Sequence, residues 1–210
     1  SPALLGLKLL RVALWADRIL DDGTDRVRWE RSRFEVIGAS DVKAYARPSS
    51  VSSYFSQKIA ARDFHGNEFT ENGHLWEPTL IAHIGLPGNS SLVASPDEPG
   101  FAATPDGIAF DGSEIVEAKI RHSRMASGPS NTEFRQLAWQ FQAVPEAVRA
   151  HFVEGELVST PLGWQMRERG PQVTVIDRDD PRITDALDLV RPIAVKVLAL
   201  VRAHRDLERG

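Results

Sequence analysis

The sequence predicts an α/β (α+β) domain in which helices precede and follow a central mixed β-sheet. Three observations carry that prediction. Apolar residues recur at helical spacing near the start, short apolar runs broken by turn residues fill the middle, and a long amphipathic segment ends the chain. With 210 residues and a hydrophobic content of 42%, the chain can bury a core of its own. No repeat, low-complexity tract or interior linker divides it. One domain is therefore expected over 1–210, with an N-terminal helix and turn (1–28), a core (29–180) and a C-terminal helix (181–210).

Taken in order, Ala3 to Leu20 repeats apolar residues at helical spacing and stops at the polar turn "DDGTD", which predicts a packing helix. "GASDVKAYARPSS" predicts a short helix capped by Ser40 and ended before Pro48. "SSVSSYFSQKIAARDF" predicts another with a serine-rich start, and a third spans Thr70 to Ile84. "SLVAS" and "GFAAT" read as short strands. "TPDGIAFDGSEIVEAK", Thr104 to Lys119, reads as a hairpin around an Asp-Gly turn. After the polar loop "RHSRMASGPS", Asn131 caps a helix carrying "TEFRQLAWQFQAV" that ends near Pro145. "AVRAHFVEGELVS" and "PQVTVIDRD" predict two strands. "PRITDALDLVRPIAVKVLALVRAH" predicts a long closing helix, kinked or restarted at Pro192.

Composition excludes several chemistries. There is no cysteine, which removes disulfides, thiolate zinc sites, cysteine nucleophiles and iron–sulfur clusters and fits a reducing cytosol. Any metal must be held by oxygen or imidazole, and His65, His74 and His83 match no zinc spacing. Lys8, Arg11, Asp17 and Arg18 interrupt the apolar opening, so neither a signal peptide nor a membrane span is expected. The net charge of −4 does not advertise nucleic acid, although a local basic groove can coexist with an acidic remainder. Trp15, Trp76 and Trp139 read as core, Asp97 and Glu98 as a solvated loop. Trp164, in a loop with Arg167 and Arg169, is the better candidate for meeting a partner.

The hairpin carries the chemistry. Its Asp111-Gly112 turn folds Asp106 back toward Glu117, so two carboxylates meet at one end of the sheet and repel unless a cation lies between them. A hard divalent ion such as Mg²⁺ accepts such oxygen ligands and leaves room for a phosphate oxygen. Lys119, two residues after Glu117, shares its strand face and can approach a scissile phosphate or an attacking water.

In this order the motifs resemble those of the lambda-exonuclease and YqaJ-type viral recombinases within the PD-(D/E)XK nuclease superfamily. "TPDG" followed by "EAK" resembles the superfamily signature. "WERSRFEVIGAS" resembles the Trp-x-x-x-Arg segment that leads to an Ala-Ser helix start, "GHLWEP" the helix that supplies a further acidic residue, and "LAWQFQ" the helix with paired glutamines. The resemblance runs from Trp29 to the final helix and implies a PD-(D/E)XK core.

It further implies that Asp106, Glu117 and the backbone carbonyl of Ala118 bind Mg²⁺, with Mn²⁺ as a substitute, and that Glu77 holds a second ion or its water. Lys119 acts on the attacking water. Gln142, or Gln140, orients the lysine. A pocket for a terminal 5′-phosphate is implied from Arg33, Ser40 and Thr104, completed by Arg124 or Arg121. The implied activity is a Mg²⁺-dependent exonuclease working 5′ to 3′ on linear double-stranded DNA ends and leaving 3′ overhangs for recombination. Implied partners are a single-strand annealing protein and further copies in a ring, a trimer by resemblance, in a bacterial or phage-encoded cytoplasmic setting with no membrane. Two other readings stay open from the residues: an endonuclease of DNA repair or phage defence, and a DNA-binding module without catalysis.

Overall fold

The computed structural model describes residues 15–60 and 68–210, with the backbone alone over 68–74. Most of the helix expected from Ala3 lies outside these residues, as do His65 and the side chain of His74. The end of that expected helix is instead a short 3₁₀ turn, Ala16–Arg18, followed by strand β1, Ile19–Asp21. Helix α1, Arg26–Phe34, occupies a stretch with no apolar periodicity and was not expected. Its start is fixed by Asp25, whose side chain accepts from Arg28 N at 3.0 Å.

Strand β2, Ile37–Gly38, leads into helix α2, Ala39–Val42. Gly38, not Ser40, is its cap: Gly38 N donates to Asp41 Oδ2 at 2.7 Å, and Ser40 lies within the first turn. Helix α3, Val51–Ala60, and helix α4, Glu68–Ile84, follow, the latter carrying Pro78 inside it. Next come strands β3, Leu92–Ala94, β4, Phe101–Ala103, β5, Gly107–Ile108, and β6, Glu114–His122.

Helix α5, Asn131–Ala143, is capped by Ser130 rather than Asn131, in a reciprocal box with Glu133, whose Oε2 accepts from Ser130 N at 2.8 Å. Strands β7, Arg149–Thr160, β8, Gly163–Met166, and β9, Gln172–Asp177, precede helix α6, Pro181–Arg209, which is continuous through Pro192. β8 replaces the loop expected around Trp164.

The strands form two sheets. One has the order β1-β3-β4-β2, with β2 parallel to β4; the other has the order β5-β6-β7-β8, with β9 also on β7. Strand β7 is the spine of the second sheet. It runs parallel to β6 along one edge, and its other edge is shared by β9 over Arg149–Glu154 and β8 over Leu157–Thr160.

One apolar cluster unites the sheets. Val93 and Phe101 from the first meet Ile108, Ile115, Phe152 and Ile176 from the second, with α5 between them and the stripe Ile183, Val190, Val197 and Val201 of α6 behind. At its centre Trp139 is fully buried, packs on Phe101 with ring centroids 4.7 Å apart, and donates Nε1–H to the Ile37 carbonyl at 3.0 Å. A second cluster seats α4 on the other face, Leu80 and Ile81 against Val116 and Val153. Among the described residues no helix is long and apolar enough to cross a membrane.

Candidate active site

The parallel pairing of β2 with β4 brings the first site residues together. Gly38 lies opposite Ala102, so the two chains leave the sheet side by side, with Ser40 and Thr104 each two residues beyond. From Thr104 the chain passes through Pro105 and Asp106 into β5, crossing from one sheet to the other. The backbone of this crossover is held firmly. Asn89 donates through Nδ2 to Pro105 O at 2.8 Å and through its N–H to Asp106 O at 2.8 Å, and Asp106 N donates to Val116 O at 3.0 Å.

The hairpin register, Gly107 opposite Val116, sets Asp106 across from Glu117, and Asp106 Oδ2 accepts from Ala118 N at 2.7 Å. Glu117 is 2% exposed. Its Oε1 accepts from Gln136 Nε2 at 2.6 Å and pairs with the Lys119 ammonium, while its Oε2 accepts from Gln140 Nε2. Gln136 and Gln140 stand one helical turn apart on α5, so a single helix face supplies both amides.

Charges act strongly at this point. Burial, then the negative charges of Glu117 and Glu77, push the Asp106 carboxyl well above the usual carboxylate range, against the pull of Lys119 and of the Ala118 N–H. At Lys119, burial works against the ammonium, but Glu117 and Asp106 outweigh it and hold the lysine above its ordinary value. Glu77 comes within range because Leu80, one turn later on α4, packs on Val116 of β6.

Asp106 and Glu117 beside one lysine, with Glu77 within electrostatic range of Asp106, are an oxygen-rich, net anionic donor set, and this suits a hard divalent cation. The buried amide oxygens of Gln136 and Gln140 have no hydrogen-bond partner, which leaves further acceptors beside Glu117. Among the described residues no three acidic or histidine side chains yet converge as a closed cage. Glu117 instead turns its oxygens toward the lysine and the two amides.

The expected end pocket is assembled in part. Arg33, on α1, donates through Nη2 to Ser40 Oγ, and its guanidinium lies over the Trp29 ring, 5.2 Å from the centroid. Thr104 Oγ1 is buried without a partner. Arg124 is exposed in the loop after β6. Arg121 is committed elsewhere, to Glu133 at 2.8 Å and Glu154 at 2.7 Å, which makes it a brace rather than a free anion ligand.

Two buried carboxylates of β7 hold the same loop by its backbone. Glu154 Oε2 accepts from Gly128 N at 2.8 Å, and Glu156 Oε1 accepts from Ala126 N. Arg167 and Arg169, expected to be partner-facing, pair with Glu156, and Trp164 packs edge-on against His122 with centroids 4.8 Å apart.

Gln142 does not face Lys119. It lies on the opposite side of α5 and donates to Ser95 Oγ at 3.1 Å and Asp97 Oδ2 at 3.2 Å. Gln140 is the member of the pair that reaches the site, and it contacts the carboxylate of Glu117 rather than the lysine. Sequence reasoning missed Gln136, which stands one turn before Gln140 and is signalled only by that helical spacing. It also missed Lys43. Burial, then repulsion from Lys119, lowers that half-buried ammonium, while Glu117 and Glu133 pull it back up. Its carbonyl accepts from Arg135 Nε at 2.9 Å, so Lys43 is fixed beside the helix face that carries Gln136.

No family model and no curated protein matches the sequence. Solved structures do. An alkaline exonuclease from Laribacter hongkongensis gives a TM-score of 0.59 at 18% identity, covering 87% of this chain and 98% of its own. The complex of that exonuclease with dAMP gives 0.58 at 19% identity with the same coverage. A phage-related exonuclease from Haemophilus somnus 129PT gives 0.52 at 15% identity, over 75% of this chain and 83% of its own. At these identities the likeness is one of architecture: the chain shares the mixed α/β fold of these two exonucleases.

Proposed function

We propose that this protein is a Mg²⁺-dependent DNA exonuclease that shortens the 5′-ended strand of linear duplex DNA and leaves a 3′ overhang. One observation carries the reading. On a fold shared with exonucleases, the crossover between the sheets sets Asp106 against Glu117 and Lys119, with Glu77 within electrostatic range.

Asp106, Glu117 and the Ala118 carbonyl, with Glu77 nearby, would hold the ion. When bound, a divalent ion supplies Lewis acidity to a phosphate oxygen and lowers the pKa of water. Gln136 and Gln140 fix the Glu117 carboxylate. Lys119, held as the ammonium, offsets charge that develops on the phosphate and orients the attacking water. Arg33, Ser40 and Thr104 receive the terminal phosphate, with Arg124 at the rim. Assembly into a ring would let an acidic chain present a basic inner face to DNA.

Linear duplex labelled at either end, with and without a 5′-phosphate, tests the reading in Mg²⁺ and then in EDTA. The expected result is release of the 5′ label first, abolished by EDTA and by Lys119→Ala. Cleavage of closed circular duplex, or release of the 3′ label first, would overturn it.

A further inference from the structure

Beneath the Arg33–Ser40 pair lies a charged residue that the proposed chemistry leaves unused. Lys58, on α3, is 6% exposed. Its ammonium donates to the Arg33 carbonyl at 3.0 Å and to Asp41 Oδ2 at 2.7 Å. That same Asp41 oxygen accepts from Gly38 N at 2.7 Å, and Ser40, between Gly38 and Asp41, accepts from the Arg33 guanidinium. The contacts close a circuit: the Arg33 main chain to Lys58, Lys58 to Asp41, Asp41 to the start of α2, and Ser40 back to the Arg33 side chain. The last turn of α1 and the first turn of α2 are tied through one ammonium.

Stability alone does not account for a charge at this position. Buried ion pairs are commonly replaced by apolar side chains at little or no cost, because desolvating two charges offsets most of their attraction. The neighbouring Tyr54 and Phe55 of α3 already pack into the core. What an apolar residue cannot do is hold the Arg33 carbonyl and the Asp41 carboxylate at once. Two donors on one rigid group fix the spacing of the two turns, and so the place where the Arg33 guanidinium and the Ser40 hydroxyl present their protons.

We infer that Lys58 is a positioning residue that sets Arg33 and Ser40 for a terminal phosphate on the DNA end. The inference rests on the reading of that pair as the end pocket. A recognition pair needs its supporting shell within a fraction of an ångström, and loss of the support degrades selectivity before it degrades the fold.

The test is anisotropy binding in EDTA of labelled linear duplexes that carry either a 5′-phosphate or a 5′-hydroxyl. The proteins are the wild type, Arg33→Ala, Lys58→Met, Lys58→Arg and the double variant Lys58→Met/Asp41→Asn, which leaves no lone buried charge. Each is first checked by thermal unfolding.

The wild type is expected to favour the phosphorylated end by about tenfold, the worth of one charge-assisted contact. Arg33→Ala should erase that preference. Lys58→Met and the double variant should bring it to about twofold or less without weakening binding to the hydroxyl-ended duplex, and Lys58→Arg should restore part of it. A folded double variant that keeps the wild-type preference overturns the inference, as does an equal loss for both ends. A wild type without preference, or an Arg33→Ala variant that retains it, overturns the end-pocket reading and this inference with it.

Discussion

Replacing Gln140 with leucine separates the two glutamines that the sequence left interchangeable. Gln140 is fully buried, and its amide donates to Glu117, which is itself 2% exposed. A hydrogen bond to a buried carboxylate is worth about 1.5–3 kcal/mol. Leucine fills nearly the same volume, so little cavity cost is added. Part of the loss is returned, because the Gln140 amide oxygen is buried without a partner and its removal relieves about 1 kcal/mol.

The net expectation is a destabilisation of about 1–2 kcal/mol, a fall in Tm of about 5 °C for a chain of this size. With Glu117 in the proposed role of metal ligand, a carboxylate released from one of its fixing amides should also lower kcat on linear duplex by about 10–100-fold, the usual loss when the support of a metal-binding side chain is removed. Gln142→Leu removes only the bonds to Ser95 and Asp97, so it should cost about 1 kcal/mol and leave kcat unchanged. Differential scanning calorimetry and steady-state nucleotide release measure both quantities. A kcat loss for Gln142→Leu equal to that for Gln140→Leu would refute the assignment.

Three further outcomes follow from the packing. At Glu133, burial opposes the charge but Arg121 and the Ser130 amide prevail, so its folded pKa lies below the ordinary value; its stabilisation is present above that value and fades as the pH falls through the folded pKa. Urea midpoints taken below about pH 4.3 should therefore fall less steeply for Glu133→Gln than for the wild type. Gly112, at the hairpin turn, has φ +76°, and a Cβ there would lie 2.8 Å from Trp15 Cδ1; Gly112→Ala should cost about 2 kcal/mol in a urea titration. Leu80→Ala should cost about 3 kcal/mol, because it empties the contact that seats α4 on β6, and it should lower activity as well by loosening the placement of Glu77.

Local signals carried the parts of the site that lie close in the chain. The Asp-Gly turn between two apolar runs told where Asp106 returns, and the i, i+2 spacing told that Glu117 and Lys119 share a face; both agree with the register. What failed was set by tertiary contact. Arg26–Phe34 is helical without an apolar stripe, because the strands around it and the Asp25 cap hold a segment that packs mainly through Trp29. Ile19–Asp21 carries a helical pattern into a strand because β3 offers it a pairing edge.

Strand β8 is four residues long beside a Pro-Leu turn, too short for alternation to show. Ser40 has the composition of a cap, but the Asp41 carboxylate takes the Gly38 amide first, and the helix starts two residues earlier than Ser40 predicts. The two glutamines of "WQFQ" are two residues apart in the chain and on opposite sides of the helix. Only the angular position of each on α5 distinguishes them, and that is fixed by where Trp139 is buried.

The grip of Glu154 and Glu156 on the loop after β6 has a consequence for how this molecule can diversify. Both carboxylates seize main-chain N–H groups, at Ala126 and Gly128, so the grip uses neither side chain, although the φ of +75° keeps position 128 for glycine. The path of the loop is thus written in β7, while the side chains it displays, Ser123 and Arg124 among them, are exposed and contribute little to that path. Between the left-handed positions 123 and 128 the loop works as a mount, and new side chains can be fitted there without redrawing the scaffold beneath it.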